Sequence, residues 1–327
     1  MGDLVSVCIP VYNGQKYLEF CINSILSQTY SNLEILFIDD RSTDDSISII
    51  KKKQKLDNRI KLIENDVNLG LVKNWQKCIE QAKGKWIKFL FQDDVMQPAC
   101  VERMLSACYL NKVQICICSR EFIIEDSANS FLKLFFTNQV FKLEDKYPVS
   151  KRFTPLEIVE SAKDKIFTNF IGEPIVLLFA KDCIKEVGNY NSDLVQLVDY
   201  EFALRACLNM DSFFLSEKLV KFRIHSTSAS NNQNCTANKA TLQFFEPLIM
   251  YHEYIFNPYF KPLRRKYGTI KLFINAAKFY SDNRTNSLVY EALEKHAISK
   301  YKGIRLIKKA QFLIKLNRVL TRFSPMR

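Results

Sequence analysis

Residues 33–40, LEILFIDD, and residues 88–98, KFLFQDDVMQP, share a pattern: an apolar run that halts at two adjacent aspartates. Neighbouring carboxylates repel each other, and removing them from water is costly unless a positive partner compensates. One such pair reads as turn and helix-cap chemistry. Two pairs, each closing a strand, point to a site.

The flanking sequence supplies the frame. Residues 4–11 (LVSVCIPV) predict a buried strand. Leu18, Cys21, Ile22, Ile25 and Leu26 then mark one face of a helix over 15–28. Residues 33–38 are a second strand, and RSTDDS supplies the cap of a helix reaching about Lys55. A third strand is expected at 60–65, a helix from Gly70 with Leu71, Trp75, Cys78, Ile79 and Ala82 on one face, and a fourth strand at 85–91. This alternation predicts a mainly parallel sheet flanked by helices. Ligands of such sheets sit beyond the carboxyl ends of the strands, where both Asp-Asp pairs fall. Further on, a helix is expected at 99–110, strands at 113–118, 173–180 and 213–225, and a helix at 196–209, with irregular chain over 120–170. Trp75 and Trp86 lie on apolar faces and belong to the core.

Composition narrows the classes. With 327 residues, 47% hydrophobic and 25% charged, the chain can bury a large core and reads as soluble and globular. The apolar stretch IVLLFA at 175–180 is far too short to span a bilayer, and no secretory leader is expected at the start. MGDLVS matches a loose myristoylation pattern, but LVSVCIPV is better read as a strand. The ten cysteines form no CxxC pair and read as buried thiols of a reducing cytoplasm; three histidines make a His-rich metal site implausible. Residues 257–327 hold 17 of the 47 Lys and Arg against three of the 35 acids, leaving 30 basic and 32 acidic groups elsewhere. The net charge of +12 therefore belongs to the tail.

The eight glycines form neither GxGxxG nor GxxxxGK[ST], so the common backbone cradles for phosphate are missing. A bound diphosphate would need Mg2+ or Mn2+, which take oxygen ligands from one or two acids plus the phosphates themselves. Asp93 and Asp94 would hold that cation, and Asp39 would accept from a base or ribose.

The ordered segments VSVCIPVYNGQKYLEFCINSILSQTY, LEILFIDDRSTDDS, NDVNLGLVKNWQKCIEQAKGKWIKFLFQDDVMQP and EVGNYNSDLVQLVDYEFALRA resemble the inverting glycosyltransferases of family 2, which have the GT-A fold. The resemblance covers roughly the first 210 residues. It implies a Rossmann-like α/β sheet and a nucleoside-diphosphate sugar as donor, with UDP favoured over dTDP or GDP. It also implies a glycan or lipid-linked acceptor, in bacterial envelope polysaccharide synthesis. Pro10 and Tyr12 resemble the residues flanking the base, Asp39 the acid at base or ribose, and Asn68 a loop residue near the base. Asp93 and Asp94 resemble the DxD-type motif, with Asp94 as direct metal ligand. Asp199 resembles the catalytic base, with Glu201 as the second choice. Arg223 and His225 resemble an Arg-x-His segment that pairs with phosphate and ligates metal. The sequence departs from the pattern at Phe91, where the first acid is usual, at Val198, where a Glu is usual, and at Arg41, where a glycine is common. The losses at Phe91 and Val198 keep a non-catalytic nucleotide-sugar-binding scaffold open, and a metal-dependent nucleotidyltransferase, which also uses metal-held acids on an α/β sheet, is a further reading. For Asp199 itself, a helix acid paired with Arg205 is the plainer alternative.

The expected organisation is a catalytic domain over 1–230, carrying an acceptor-side insertion at about 120–170, and a basic helical region over 231–327. STSASNNQN marks the boundary. Within 304–323, Lys308, Lys315, Arg318 and Arg322 lie broadly opposite Leu306, Ala310, Leu313, Ile314 and Leu320. Such a helix suits an anionic membrane surface, placing the protein in the cytoplasm at the inner face of the membrane; a docked helix with a solvated basic face is the alternative. No nucleic-acid module accompanies the charge, so a nucleic-acid partner is not expected.

Overall fold

The computed structural model describes residues 2–128, 130–138, 140, 142–162, 168–228, 244–283, 295, 298, 300, 301 and 303–310. It contains two compact units, Met1–Ser192 with Val198–Ser228, and Asp193–Leu197 with Ala229–Arg327.

The first unit opens with the predicted alternation: β1 (Val5–Val11), α1 (Gln15–Leu26), β2 (Leu33–Asp39), α2 (Ser46–Gln54), β3 (Ile60–Glu64), α3 (Leu71–Gln81) and β4 (Trp86–Phe89). β5 (Val95–Met96), α4 (Cys100–Asn111) and β6 (Ile115–Ile124) follow. All seven residues of β2 are buried, so both of its faces are covered. That is why the segment reads as a continuous apolar run rather than an alternating one.

The described residues over 120–162 are largely regular rather than irregular. β6 continues to Ile124, followed by α5 (Ser130–Asn138), α6 (Leu143–Lys146), β7 (Lys151–Phe153) and α7 (Pro155–Ser161). Thr154 and Glu157 form a reciprocal capping box at the start of α7. The unit ends with β8 (Leu177–Ala180), α8 (Cys183–Val187), α9 (Val198–Cys207) and β9 (Ser212–Ile224).

Among the described residues the sheet runs β3-β2-β1-β4-β8-β6-β9-β5, with β7 on β9. β3, β2, β1 and β4 are mutually parallel. β8 is antiparallel to both β4 and β6, so the second half of the sheet is mixed, although β6 and β9 are parallel. The carboxyl ends of β1, β2 and β4 therefore share one edge. With strands about 4.8 Å apart, the ends of β2 and β4 lie roughly 10 Å from each other across β1.

The described residues of the second unit form helices at Glu246–Phe256, Lys261–Tyr267 and Thr269–Asn283. Residues 303–310 are also helical, with Ile304 and Ile307 buried. A Cβ at Gly303 would lie 2.2 Å from the Phe256 ring, so this stretch is docked closely. The remainder of the basic helix expected over 304–323, and most of the STSASNNQN boundary, lie outside the described residues. No described helix is long and apolar enough to cross a membrane. The nine described cysteines are buried and unpaired, as their apolar surroundings predict; burial pushes the thiols of Cys183 and Cys207 up to about 12.

Candidate active site

The site grows from the loops that leave the shared edge. Gln92 bonds the backbone of Tyr12 twice, accepting from its N–H at 2.9 Å and donating to its carbonyl at 3.0 Å. This side chain extends the β1–β4 pairing past the strand ends and fixes the loop that carries Asp93 and Asp94. The Tyr12 side chain is left 51% exposed, available to stack on a base. Pro10 pairs in register with Ile38 on β2, inside the sheet rather than on the loop. Asn13 and Arg41 both have positive φ, 49° and 66°. The family's usual glycine at Arg41 is thus explained by backbone conformation, which L-residues adopt at a cost of about 1–2 kcal/mol.

The two aspartate pairs divide their labour. In the first pair, Asp39 is fully buried; its Oδ2 accepts the Ser42 N–H at 2.9 Å, while its Oδ1 is buried without a partner among the described residues. Asp40 instead organises the loop after β3. It accepts from the backbone N–H groups of Leu69 and Gly70 and from Asn65 Nδ2, at 2.7, 2.9 and 2.9 Å. Asn68 Nδ2 donates to the Asp40 carbonyl, which fixes its loop beside β2.

In the second pair, Asp94 is completely buried; its Oδ1 accepts the Arg223 N–H at 2.8 Å and its Oδ2 has no partner among the described residues. Burial, then the like charge of Asp93, push its carboxyl well above the usual carboxylate range. Asp93 Oδ2 lies 2.9 Å from His225 Nε2, whose ring contacts Thr227 Oγ1 through Nδ1 at 2.9 Å. The Arg223 guanidinium lies over the Tyr17 ring, pairs with Glu125 at 3.2 Å and bonds the Asp93 carbonyl. Glu125 also accepts from Tyr17 Oη at 2.6 Å. Glu125 and Gln92 were not expected from the sequence, because neither stands in a motif. Their roles arise from contacts 98 and 80 residues away in the chain.

Phe91 stacks on Trp75, with centroids 5.0 Å apart and planes at 24°. The position where the family carries its first acid is therefore a packing position here. Among the described residues no three His, Cys, Asp or Glu side chains form a ready coordination shell. What exists is a partial one: the orphaned buried oxygen of Asp94, with Asp93 next to it in the chain and His225 on the Asp93 carboxylate. The 2.9 Å between Asp93 Oδ2 and His225 Nε2 matches the roughly 3 Å between adjacent ligands of an octahedral ion with 2.1 Å bonds. These residues fit a divalent cation whose remaining ligands come from phosphate and water.

Asp199 stands in the first turn of α9, half-buried, where the helix dipole favours a carboxylate. Its Oδ2 accepts from Asn169 Nδ2 at 3.3 Å. Asn169 also shapes its own loop, accepting the N–H groups of Ile171 and Gly172. The same loop leads to Glu173, whose charge acts on Asp94. Glu201, the second candidate base, is 1% exposed and held in a two-point ion pair with Arg205 at 2.7 and 2.8 Å. Arg205 also donates to the carbonyls of Val187, Gly188 and Asn189. Glu201 is thus committed to a buried ion pair, and Arg205 pairs with it instead of with Asp199.

The family model for glycosyl transferase family 2 matches residues 6–171. The chain belongs to that family. It is 30% identical over 229 residues to an uncharacterised protein, MT1568, of Mycobacterium tuberculosis, covering 66% of each chain. An uncharacterised glycosyltransferase of Haemophilus influenzae is 28% identical over 256 residues, 76% of this chain and 74% of that one. The match to the glycosyltransferase GlyG of Streptococcus pneumoniae, at 31% identity, spans 44% of this chain and 48% of GlyG. Among solved structures, S. aureus TarS 1–349 in complex with UDP-GlcNAc superposes with a TM-score of 0.62 at 16% identity, covering 95% of this chain and 88% of that one. The mannosyltransferase PcManGT of Pyrobaculum calidifontis, in complex with GDP-Man and Mn2+, does so at 0.52 and 16%, covering 98% and 88%.

Proposed function

We propose that this glycosyltransferase moves a sugar, with inversion at the anomeric carbon, from a UDP-linked donor to a glycan or lipid-linked acceptor in envelope polysaccharide synthesis. The observation that carries the reading is the pair of buried carboxylate oxygens without partners among the described residues, Asp39 Oδ1 and Asp94 Oδ2, on one sheet edge. Buried acceptors are almost always satisfied, so two orphans at one edge call for a ligand. Asp39 would accept from the nucleoside, with Tyr12 stacked on the base. Asp94, Asp93 and His225 would hold Mn2+ or Mg2+ against the diphosphate. Such a cation, when bound, neutralises charge on the departing diphosphate.

The chain's own residues do the rest. Asp199 takes the proton of the acceptor hydroxyl as that oxygen bonds to the anomeric carbon. The bond from that carbon to the diphosphate oxygen breaks on the opposite face, releasing UDP. A positioned base of this kind contributes about 10²–10⁴-fold. Asn169 orients it, and Arg223, anchored by Glu125, lies beside the metal-binding acids and pairs with phosphate. The UDP choice is supported by TarS, solved with UDP-GlcNAc and with UDP. The cytoplasmic, membrane-facing location is supported by the basic excess of residues 257–327.

The test is release of UDP from UDP-Glc, UDP-Gal and UDP-GlcNAc, with GDP-Man as control, each with and without Mn2+. Slow Mn2+-dependent UDP release, absent from Asp199→Asn while donor binding persists, is expected. Binding without release would mean a scaffold, and release of pyrophosphate from UTP and a sugar 1-phosphate, in place of UDP release from the donors, would mean a nucleotidyltransferase.

A further inference from the structure

The chain holds a second concave site on the same sheet, next to the nucleotide edge but with a lining of its own. It is a cavity of about 460 Å3 between the β6 strand, α5, α6 and Lys218 of β9. Pockets for small ligands fall in this size range. We propose that this cavity is the acceptor-sugar subsite and that it takes an uncharged or zwitterionic saccharide; this rests on the transferase reading above.

Three features carry the proposal. The first is chemistry. Arg120, Lys142 and Lys218 are balanced by Glu121, Glu144 and Asp145, so the lining is dense in charge yet neutral overall. Such a wall offers many hydrogen-bond partners without favouring an anion or a cation. Glu144 Oε1 is buried and has no partner among the described residues, an acceptor that a sugar hydroxyl would satisfy.

The second is the floor. Phe122 and Phe136 line the cavity and belong to an apolar cluster with Ala128, Ile224 and Phe222. Arg120 and Lys142 both lie 5.3 Å from the Phe122 ring centre. A saccharide presents C–H patches alongside hydroxyls and so matches an aromatic floor with a polar rim. A purely apolar ligand would strip water from the charged groups of the rim without replacing their hydrogen bonds.

The third is place. Arg120, only 2% exposed, pairs off-axis with Glu173 at 2.6 Å. A Cβ on Gly172, whose φ is +115°, would come 2.9 Å from Arg120 Nη1, so the loop backbone runs against the guanidinium. That loop is the one in which Asn169 bonds Asp199. At its other end, β6 leads directly into Glu125, the partner of Arg223. The cavity therefore adjoins both the support of the base and the side chains beside the metal-binding acids. An acceptor hydroxyl must reach that position.

The experiment is calorimetric titration of lactose, maltose and N,N′-diacetylchitobiose into the full chain with UDP and Mn2+ present, so that the nucleotide edge is filled. At least one should bind. Glu144→Ala and Lys218→Met should each weaken it about tenfold or more, the loss expected for a hydrogen bond to a charged group. Acceptor-free UDP release should stay unchanged in both. Lys218 is exposed, so its variant tests the site even where Glu144→Ala disturbs α6. Absence of binding for all three, unchanged affinity in both variants, or tighter binding of glucose 6-phosphate would overturn the assignment. Failure of the wild type to release UDP would instead sink the transferase reading, while the titrations still judge the cavity.

Discussion

His225 Nε2 and Asp93 Oδ2 lie 2.9 Å apart although 132 residues separate them in the chain. β9 brings the histidine back beside the loop after β4, and neither residue alone would mark a site. If both serve the cation, His225→Ala should raise the Mn2+ concentration needed for half-maximal UDP release about 10–100-fold or more, since that is the loss on removing even an outer partner of a metal ligand. A Mn2+ titration at saturating donor reads this. Unchanged Mn2+ dependence would show that the pair is only a structural contact.

Asp199 and Glu201 occupy the same helix and should fail in opposite ways. Asp199→Asn is expected to lower kcat by about 10²–10⁴-fold with donor KM and melting temperature little changed. Glu201→Gln leaves Arg205 without its carboxylate in a buried setting, so a loss of about 3–5 kcal/mol of stability is expected. Denaturant unfolding and steady-state kinetics on both variants separate the roles. A stable, inactive Glu201→Gln protein would reverse them.

Restoring the family's first acid should do harm. In Phe91→Asp the stack on Trp75 is lost and a carboxylate enters a partly buried apolar position. Destabilisation of about 1–3 kcal/mol is expected, without a gain in Mn2+ affinity. A variant that binds Mn2+ more tightly at equal stability would refute the packing explanation.

Glu246 gives the second unit a pH dependence. Its buried carboxylate accepts from the backbone N–H groups of Val195, Gln196 and Leu197, at 2.8–3.1 Å. Burial outweighs those bonds and raises the carboxyl above its ordinary value. Between the ordinary and the raised value the folded chain holds the proton that the unfolded chain has lost. Stability from this group is therefore fully present below the ordinary value and declines as pH rises through the raised one. Unfolding free energies measured from pH 4 to 7 should show that decline in the wild type and not in Glu246→Gln. Equal slopes in the two proteins would contradict it.

Much of the fold was legible because burial writes itself into the sequence. β2 is buried on both faces and so is apolar throughout, and helix α3 repeats its apolar residues on one face. The β-α alternation ends at β4; beyond it α4, β6, β8, α9 and β9 were still legible as elements, but which strand pairs with which was not. β8, antiparallel to both neighbours, and the regular elements of 120–170 carry no period that announces their partners.

The candidate site divides along the same line. Local sequence was enough to place Asp39 and Asp94 at strand ends on one edge, because a parallel sheet sends its ligands there. Only the tertiary structure decided that Asp40 braces a loop and that Glu201 is consumed by Arg205. It also decided that Phe91 packs on Trp75 and that Gln92, Glu125 and Asn169 bond the loops and side chains of the candidate site. The reason is physical: strand and helix periodicity are local and survive in the sequence, whereas a carboxylate's role depends on which donors reach it. Those donors are brought from distant segments by the packing of the sheet.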